Sequence, residues 1–315
     1  MIRNPKLIAV LHNPIAIAES IQQRKRWEQV FIVFGWFSLL VALLTLVLLV
    51  ADLFIRGWPL LNLKFFLSPP SSDPEEAGVL TAWVGSLLVI LVTIVVAVPL
   101  GIAAGIYLEE YAPKNWLLDF IEINITNLAG VPSIIYGLLA LGFFVYILNW
   151  GESILTAGST LGLLILPVVI VTTREALRAI PVGIREAAYS VGASRWQTIS
   201  DHVLPYAMGG ILTGIIIGIS RAIGETAPLI TIGALTFITF LPDAPIKGEF
   251  PYISFNWIWS PFTVLPIQMF NWVSRPQEAF QVNSAAAGII LLVLTLAINA
   301  TAIYLRYRFR KSIKF

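Results

Sequence analysis

The sequence predicts an all-α integral membrane protein: six transmembrane helices with a cytoplasmic helical hairpin between the fourth and the fifth. Three observations lead there. Charged residues make up 12% of the 315 and apolar residues 57%, whereas soluble domains carry about 25% charge. A water-facing surface on this chain would therefore be apolar as well. Six stretches reach the length of about 20 apolar residues that a spanning helix needs. Lysine and arginine gather at both ends and in one internal connection, which sets a direction across the bilayer.

Residues 1–28 read as a cytoplasmic segment, with a weakly amphipathic Leu7-to-Ile21 stretch and the basic cluster Arg24-Lys25-Arg26. The scattered charges and early Pro5 do not suit a cleaved leader. Residues 29–55 hold a first, peripheral span, apolar from Val30 to Phe54, and residues 56–78 an external loop. The main transmembrane domain occupies residues 79–305, with spans Val79–Tyr107, Phe120–Leu148, Ile154–Leu177, Tyr206–Ala227 and Phe280–Tyr304. The third and fourth are joined only by Asn149-Trp150-Gly151-Glu152.

Arg24, Lys25 and Arg26 precede the first span, and a basic tail at 306–315 (Arg306, Arg308, Arg310, Lys311, Lys314) follows the last. Both termini are then cytoplasmic. The connection at 179–205 lies among Arg174, Arg178, Arg185 and Arg195 and is cytoplasmic too, while the Pro-rich loop at 229–278 faces outward. Trp257, Trp259 and Trp272 in that outer loop suit a membrane–water interface, with the indole N–H kept wet.

The 179–205 connection reads as helix–turn–helix. Pro181 suits a first turn, Arg185-Glu186-Ala187-Ala188-Tyr189-Ser190-Val191 is helical, Gly192 ends it, and Ser194 caps a second short helix before Leu204-Pro205. The small pair Ala187-Ala188 allows another surface to approach the backbone. Glu186-Ala187-Ala188, Gly192 and Leu204-Pro205 resemble the cytoplasmic loop of permease subunits of binding-protein-dependent ABC importers. His202 stands where that pattern has an aliphatic residue, and reads as a helix-end residue. Leu128-Ala129-Gly130-Val131-Pro132-Ser133 and the following Ile134 to Leu138 are similar to phosphate permeases, as is the run Arg221 to Leu229. Pro266-Ile267-Gln268-Met269-Phe270-Asn271-Trp272 is similar to the PstA-type branch more than to its PstC-type partners.

The resemblance implies an alternating-access permease for inorganic phosphate in a bacterial inner membrane, with Glu186, Ala187, Ala188 and Gly192 coupling it to an ATPase dimer. It implies a PstC-type second permease and an external phosphate-binding protein as partners. The chain carries no cofactor of its own; ATP and Mg would be bound by the ATPase. Another oxyanion, sulfate or molybdate, is the alternative cargo.

Residue chemistry adds to this. Arg221 and Glu225 share a helix face at i and i+4, and an intramembrane Arg costs at least about 2.5–3.5 kcal/mol on insertion scales, so it should face protein or water. Its fork suits a tetrahedral oxyanion; an internal ion pair that pins the helix is the plainer reading. With the resemblance, Arg221, Glu225 and Thr226 become the candidate substrate pathway. Protonated phosphate can donate to a carboxylate and sulfate cannot, so Glu225 favours phosphate modestly. Thr172, Thr173, Arg174 and Glu175 read as interfacial anchors, Asn124, Thr126 and Asn127 as cavity-lining or helix-bonding residues, and the glycines at 209, 210, 214 and 218 as helix-packing positions. No catalytic or metal site is predicted: the chain has no cysteine and two histidines, and it lacks the phosphate-binding loop of an ATPase. Nucleic-acid binding is not expected, since the basic residues form no broad patch.

Overall fold

The computed structural model describes residues 14–234, 237–244, 252 and 254–312. The first half of the Leu7-to-Ile21 stretch, with His12, falls outside them, as do Lys247 and Lys314. Two compact units divide the chain, Met1–Ile55 and Arg56–Phe315. The described residues of the first belong to α1 (Pro14–Gly57). No turn signal separates its polar start from the apolar stretch, so the lead-in and the span form one continuous helix.

The second unit is built on α3 (Leu80–Ile106, prolonged by a π turn at Tyr107–Tyr111), α6 (Ile154–Arg178), α9 (Leu204–Gly224) and α12 (Ala279–Ser312). A short α2 (Leu63–Leu67) precedes α3, capped by Asn62 through Phe65 N–H at 2.7 Å. Among the described residues five helices are long and apolar enough to cross a membrane, and up to six if one bent pair counts as a span. Helix α6 is the axis: 72% of its most apolar stretch is buried, more than in any other candidate span, and it packs against both α3 and α9. At 25 residues it is about 37 Å long, enough for the ~30 Å hydrocarbon layer. Its sides approach closely through small residues. A Cβ at Gly210 would stand 2.7 Å from the Ala176 Cβ, and Gly214 is pressed against Thr172.

The expected third span is not one straight helix. It comprises α4 (Trp116–Leu128) and α5 (Ser133–Ala140, continued by a π turn to Ile147), bent by 104°. Pro132 is the cause: it lacks the N–H to continue the ladder and pushes Val131 out of the helical region. Its own backbone is extended at φ −54°, ψ 133°. At the bend the carbonyl of Leu128 accepts from Val131 N–H at 3.1 Å and from Tyr136 Oη at 2.8 Å.

The connection at 229–278 differs from a plain loop. It contains α10 (Ala227–Thr231) and α11 (Leu265–Val273), which packs on α12 and α3. Trp257 is 7% and Trp272 0% exposed, so these two are core residues and only Trp259, at 51%, suits an interface. The reason is that α11 presents Leu265, Ile267, Gln268 and Trp272 on its buried side, and Trp272 lies between Phe65 and Phe280, with ring centroids at 6.0 and 6.4 Å.

Candidate functional site

The segment carrying Arg221, Glu225 and Thr226 is a break between two helices. Helix α9 stops at Gly224; Glu225 is extended at φ −82°, ψ 116°; Thr226 precedes α10. Pro228 does not make the break, because it sits in the first turn of α10, where a missing N–H costs nothing. Arg221 Nε still reaches Glu225 Oε1 at 3.3 Å, with side chains 37% and 21% exposed. Among the described residues its two terminal nitrogens make no hydrogen bond, so the paired donors of the fork stay open. Next to it Ser220 Oγ bonds Asn299 Oδ1 at 2.7 Å, tying α9 to α12.

The side of α9 opposite Arg221 is closed. Ala222 and Ile223 pack with Ser86, Leu161, Leu229 and Val264 around a residual cavity of about 10 Å³, scarcely room for one water. The break also meets the bend: α5 crosses α10 at Gly137, where an added Cβ would stand 2.7 Å from both Cα and O of Pro228. Two motifs some 90 residues apart in the sequence are thus brought to one place.

At the other end of the unit is a cluster that local sequence reading missed. Arg178 Nε donates to Glu109 Oε2 at 2.8 Å; Arg174 Nη2 reaches the same oxygen at 3.4 Å and also binds Glu122 Oε1. Arg185 Nη2 donates to Glu110 Oε1 at 2.6 Å. Arg174 and Thr173 are buried, so they are not interfacial anchors, although Glu175 is exposed. The three carboxylates Glu109, Glu110 and Glu122 balance the three guanidiniums, leaving no surplus positive charge to hold an anion. The ion pairs join residues 52 to 75 apart, which no spacing rule detects. The only local signal was Glu109-Glu110 at the end of an apolar run. Asn124 and Thr126 bond carbonyls of their own helix, at 2.7 and 2.9 Å; Thr126 and Asn127 line a cavity of about 410 Å³ beside Arg174 and Arg178.

The hairpin has the expected form. Helix α7 (Val182–Ser190) ends at Gly192, whose φ is +89°, and Ser194 caps α8 (Arg195–Gln197) in a reciprocal box with Gln197. A π turn, Thr198–Val203, leads into α9, with His202 exposed on it. Glu186 and Ala187 are exposed, but Ala188 is 5% exposed. Ala188 faces the chain itself, because the second limb of the hairpin folds back on α7. The open apolar surface comes instead from Val182, Tyr189, Val191 and Trp196, 44% to 83% exposed.

A bundle of spanning helices with a capped, exposed hairpin on one end and a broken helix on the other defines a transport-type membrane domain. Residues 97–314 match the family of binding-protein-dependent transport system inner membrane components, and the chain belongs to that family. It is 32% identical over 299 residues to the phosphate transport system permease protein PstA of Yersinia pestis, covering 90% of this chain and 92% of that protein. It is 31% identical over 252 residues to the probable ABC transporter permease protein YqgI of Bacillus subtilis, covering 79% and 80%. Its fold is similar to a chain of the crystal structure of a bacterial ABC transporter involved in the import of the acidic polysaccharide alginate, with a TM-score of 0.55, 14% identity and coverage of 90% and 99%.

Proposed function

We infer that this chain is the membrane-spanning permease subunit of an ABC importer that moves inorganic phosphate into the cell by alternating access. The observation that carries the reading is the near full-length likeness to a phosphate transport permease, joined to an arginine fork left open at a helix break. Arg221 offers two parallel donors to a tetrahedral oxyanion, Glu225 keeps the guanidinium aimed, and Thr226 lies beside them at the break. A half-exposed guanidinium at membrane depth is stable only against water or a polar partner, which suits a pathway lined jointly with a second, PstC-type permease.

ATP hydrolysis belongs to a separate ATPase dimer, which binds ATP and Mg. The exposed face of α7, with Glu186 and Ala187 and the turn at Gly192, docks on that dimer, and an external phosphate-binding protein delivers the cargo. The setting is a bacterial inner membrane with both termini cytoplasmic. The test is ATP-dependent uptake of labelled phosphate by the assembled complex in proteoliposomes. Uptake of sulfate or molybdate in place of phosphate would overturn the cargo, and uptake without the ATPase would overturn the coupling.

A further inference from the structure

We propose that the hairpin and the inner ends of α3, α4 and α6 move as one rigid body, with Arg185 as the positioning residue that fastens it. The proposal rests on the coupling role inferred for the hairpin. Arg185 belongs to α7, yet its guanidinium serves three elements. Nη2 and Nε reach Glu110 on the turn ending α3, at 2.6 and 3.4 Å. Nη1 and Nη2 also donate to the carbonyls of Ile180, just past α6, and Leu177, in its last turn, at 2.9 and 3.0 Å; the Leu177 carbonyl takes this bond in addition to Ile180 N–H at 3.2 Å.

The second limb of the hairpin is held to the same turn. The Arg195 guanidinium lies over the Tyr111 ring, 5.2 Å from its centroid. Glu109, one residue before Glu110, is held by Arg174 and Arg178, and those two also hold Glu122 of α4. Three consecutive residues of one turn are therefore tied directly to three other helices, α6, α7 and α8, and through Arg174 and Arg178 to α4. The side chains of Glu110 and Arg185 are 8% and 16% exposed, so parting them would leave charges short of both water and partner. A hinge concentrates motion in loop or element-terminal residues that few contacts restrain. This turn has the opposite construction, so a push on the hairpin is delivered to α3 and α4 undiminished.

The chain has no cysteine, which allows a clean cross-linking test in the reconstituted complex with cysteine-free partner subunits. Tyr111→Cys with Arg195→Cys, bridged by a short, reducible bis-methanethiosulfonate linker, should transport phosphate at the rate of the unbridged pair. Arrest on bridging, relieved by reductant, would overturn the rigid body. Arg185→Gln provides an independent readout in complexes matched for assembly. Phosphate moved per ATP should fall at least about fivefold, the low end of coupling between sites, and Arg185→Lys should recover part of it. An unchanged ratio in Arg185→Gln would overturn the positioning role. If the wild-type complex moves no phosphate in the same liposomes, the transport reading fails separately; bridging is then judged on ATP hydrolysis, where arrest again overturns the rigid body.

Discussion

At Arg221 the deciding quantity is the cost of an incompletely paired guanidinium in the last turn of a spanning helix. One hydrogen bond at 3.3 Å to Glu225 does not satisfy a group with five donors. The remaining donors must meet water, a neighbouring subunit or the cargo. Arg221→Ala should then nearly abolish phosphate uptake per assembled complex, and Arg221→Lys should restore part of it, because a point charge lacks the paired donors. Uptake in proteoliposomes, normalised to assembled protein, measures both. Glu225→Gln should alter the pH dependence or oxyanion preference of uptake before its rate, read by competition with sulfate. Normal turnover in well-assembled Arg221→Ala would leave the pair as a helix pin. The pairing itself was legible from the i, i+4 spacing; the break between its members was not, because Gly224-Glu225 carries no proline and α10 begins only beyond it.

Among elements, the two broken helices depend on each other. The bend at Pro132 sends α5 across α10, and the crossing is possible only because position 137 has no side chain. Gly137→Ala should force the helices apart and destabilise the unit by about 1–3 kcal/mol, the range for overpacking a tight contact; thermal unfolding in detergent measures it. An unshifted melting temperature would mean that the crossing is loose. The hairpin offers a different case. Nothing lies within 4 Å of a Cβ at Gly192, so Gly192→Val meets no clash and suffers only from the left-handed backbone, about 1–2 kcal/mol. The chain should still insert, while ATP hydrolysis stimulated through the hairpin falls. Equal stimulation would show that the turn geometry is dispensable.

For the whole molecule, the direction of each helix decides the topology. Glu122 of α4 lies with Arg174 at the hairpin end, whereas the ring of Trp150, just after α5, stands 6.4 Å from that of Trp259 in the 229–278 connection. The bent pair therefore runs from one end of the unit to the other. Reporters placed after Phe315 and at Lys114 should be cytoplasmic, and reporters near Pro74, Trp150 or Lys247 external. Lys114 and Trp150 on the same side of the membrane would make the pair re-entrant and put the two termini on opposite sides.

The class of solvent, the approximate spans and the form of the hairpin were legible before any coordinates. All of these follow from local quantities: apolar length, the placement of lysine and arginine, the capping signature at Ser194 and the glycine at 192. The sequence also placed Arg221 beside Glu225, since helical spacing is a local rule. Packing between distant segments makes Trp272 core and not interface, turns Ala188 inward, and buries Arg174 at the centre of an ionic cluster. It alone brings the Gly137 motif against Pro228 and joins Glu110 to Arg185. The physical reason is the same in each case. An apolar or charged side chain has one composition but several possible solvents, and which of them it meets depends on neighbours many turns away in the chain.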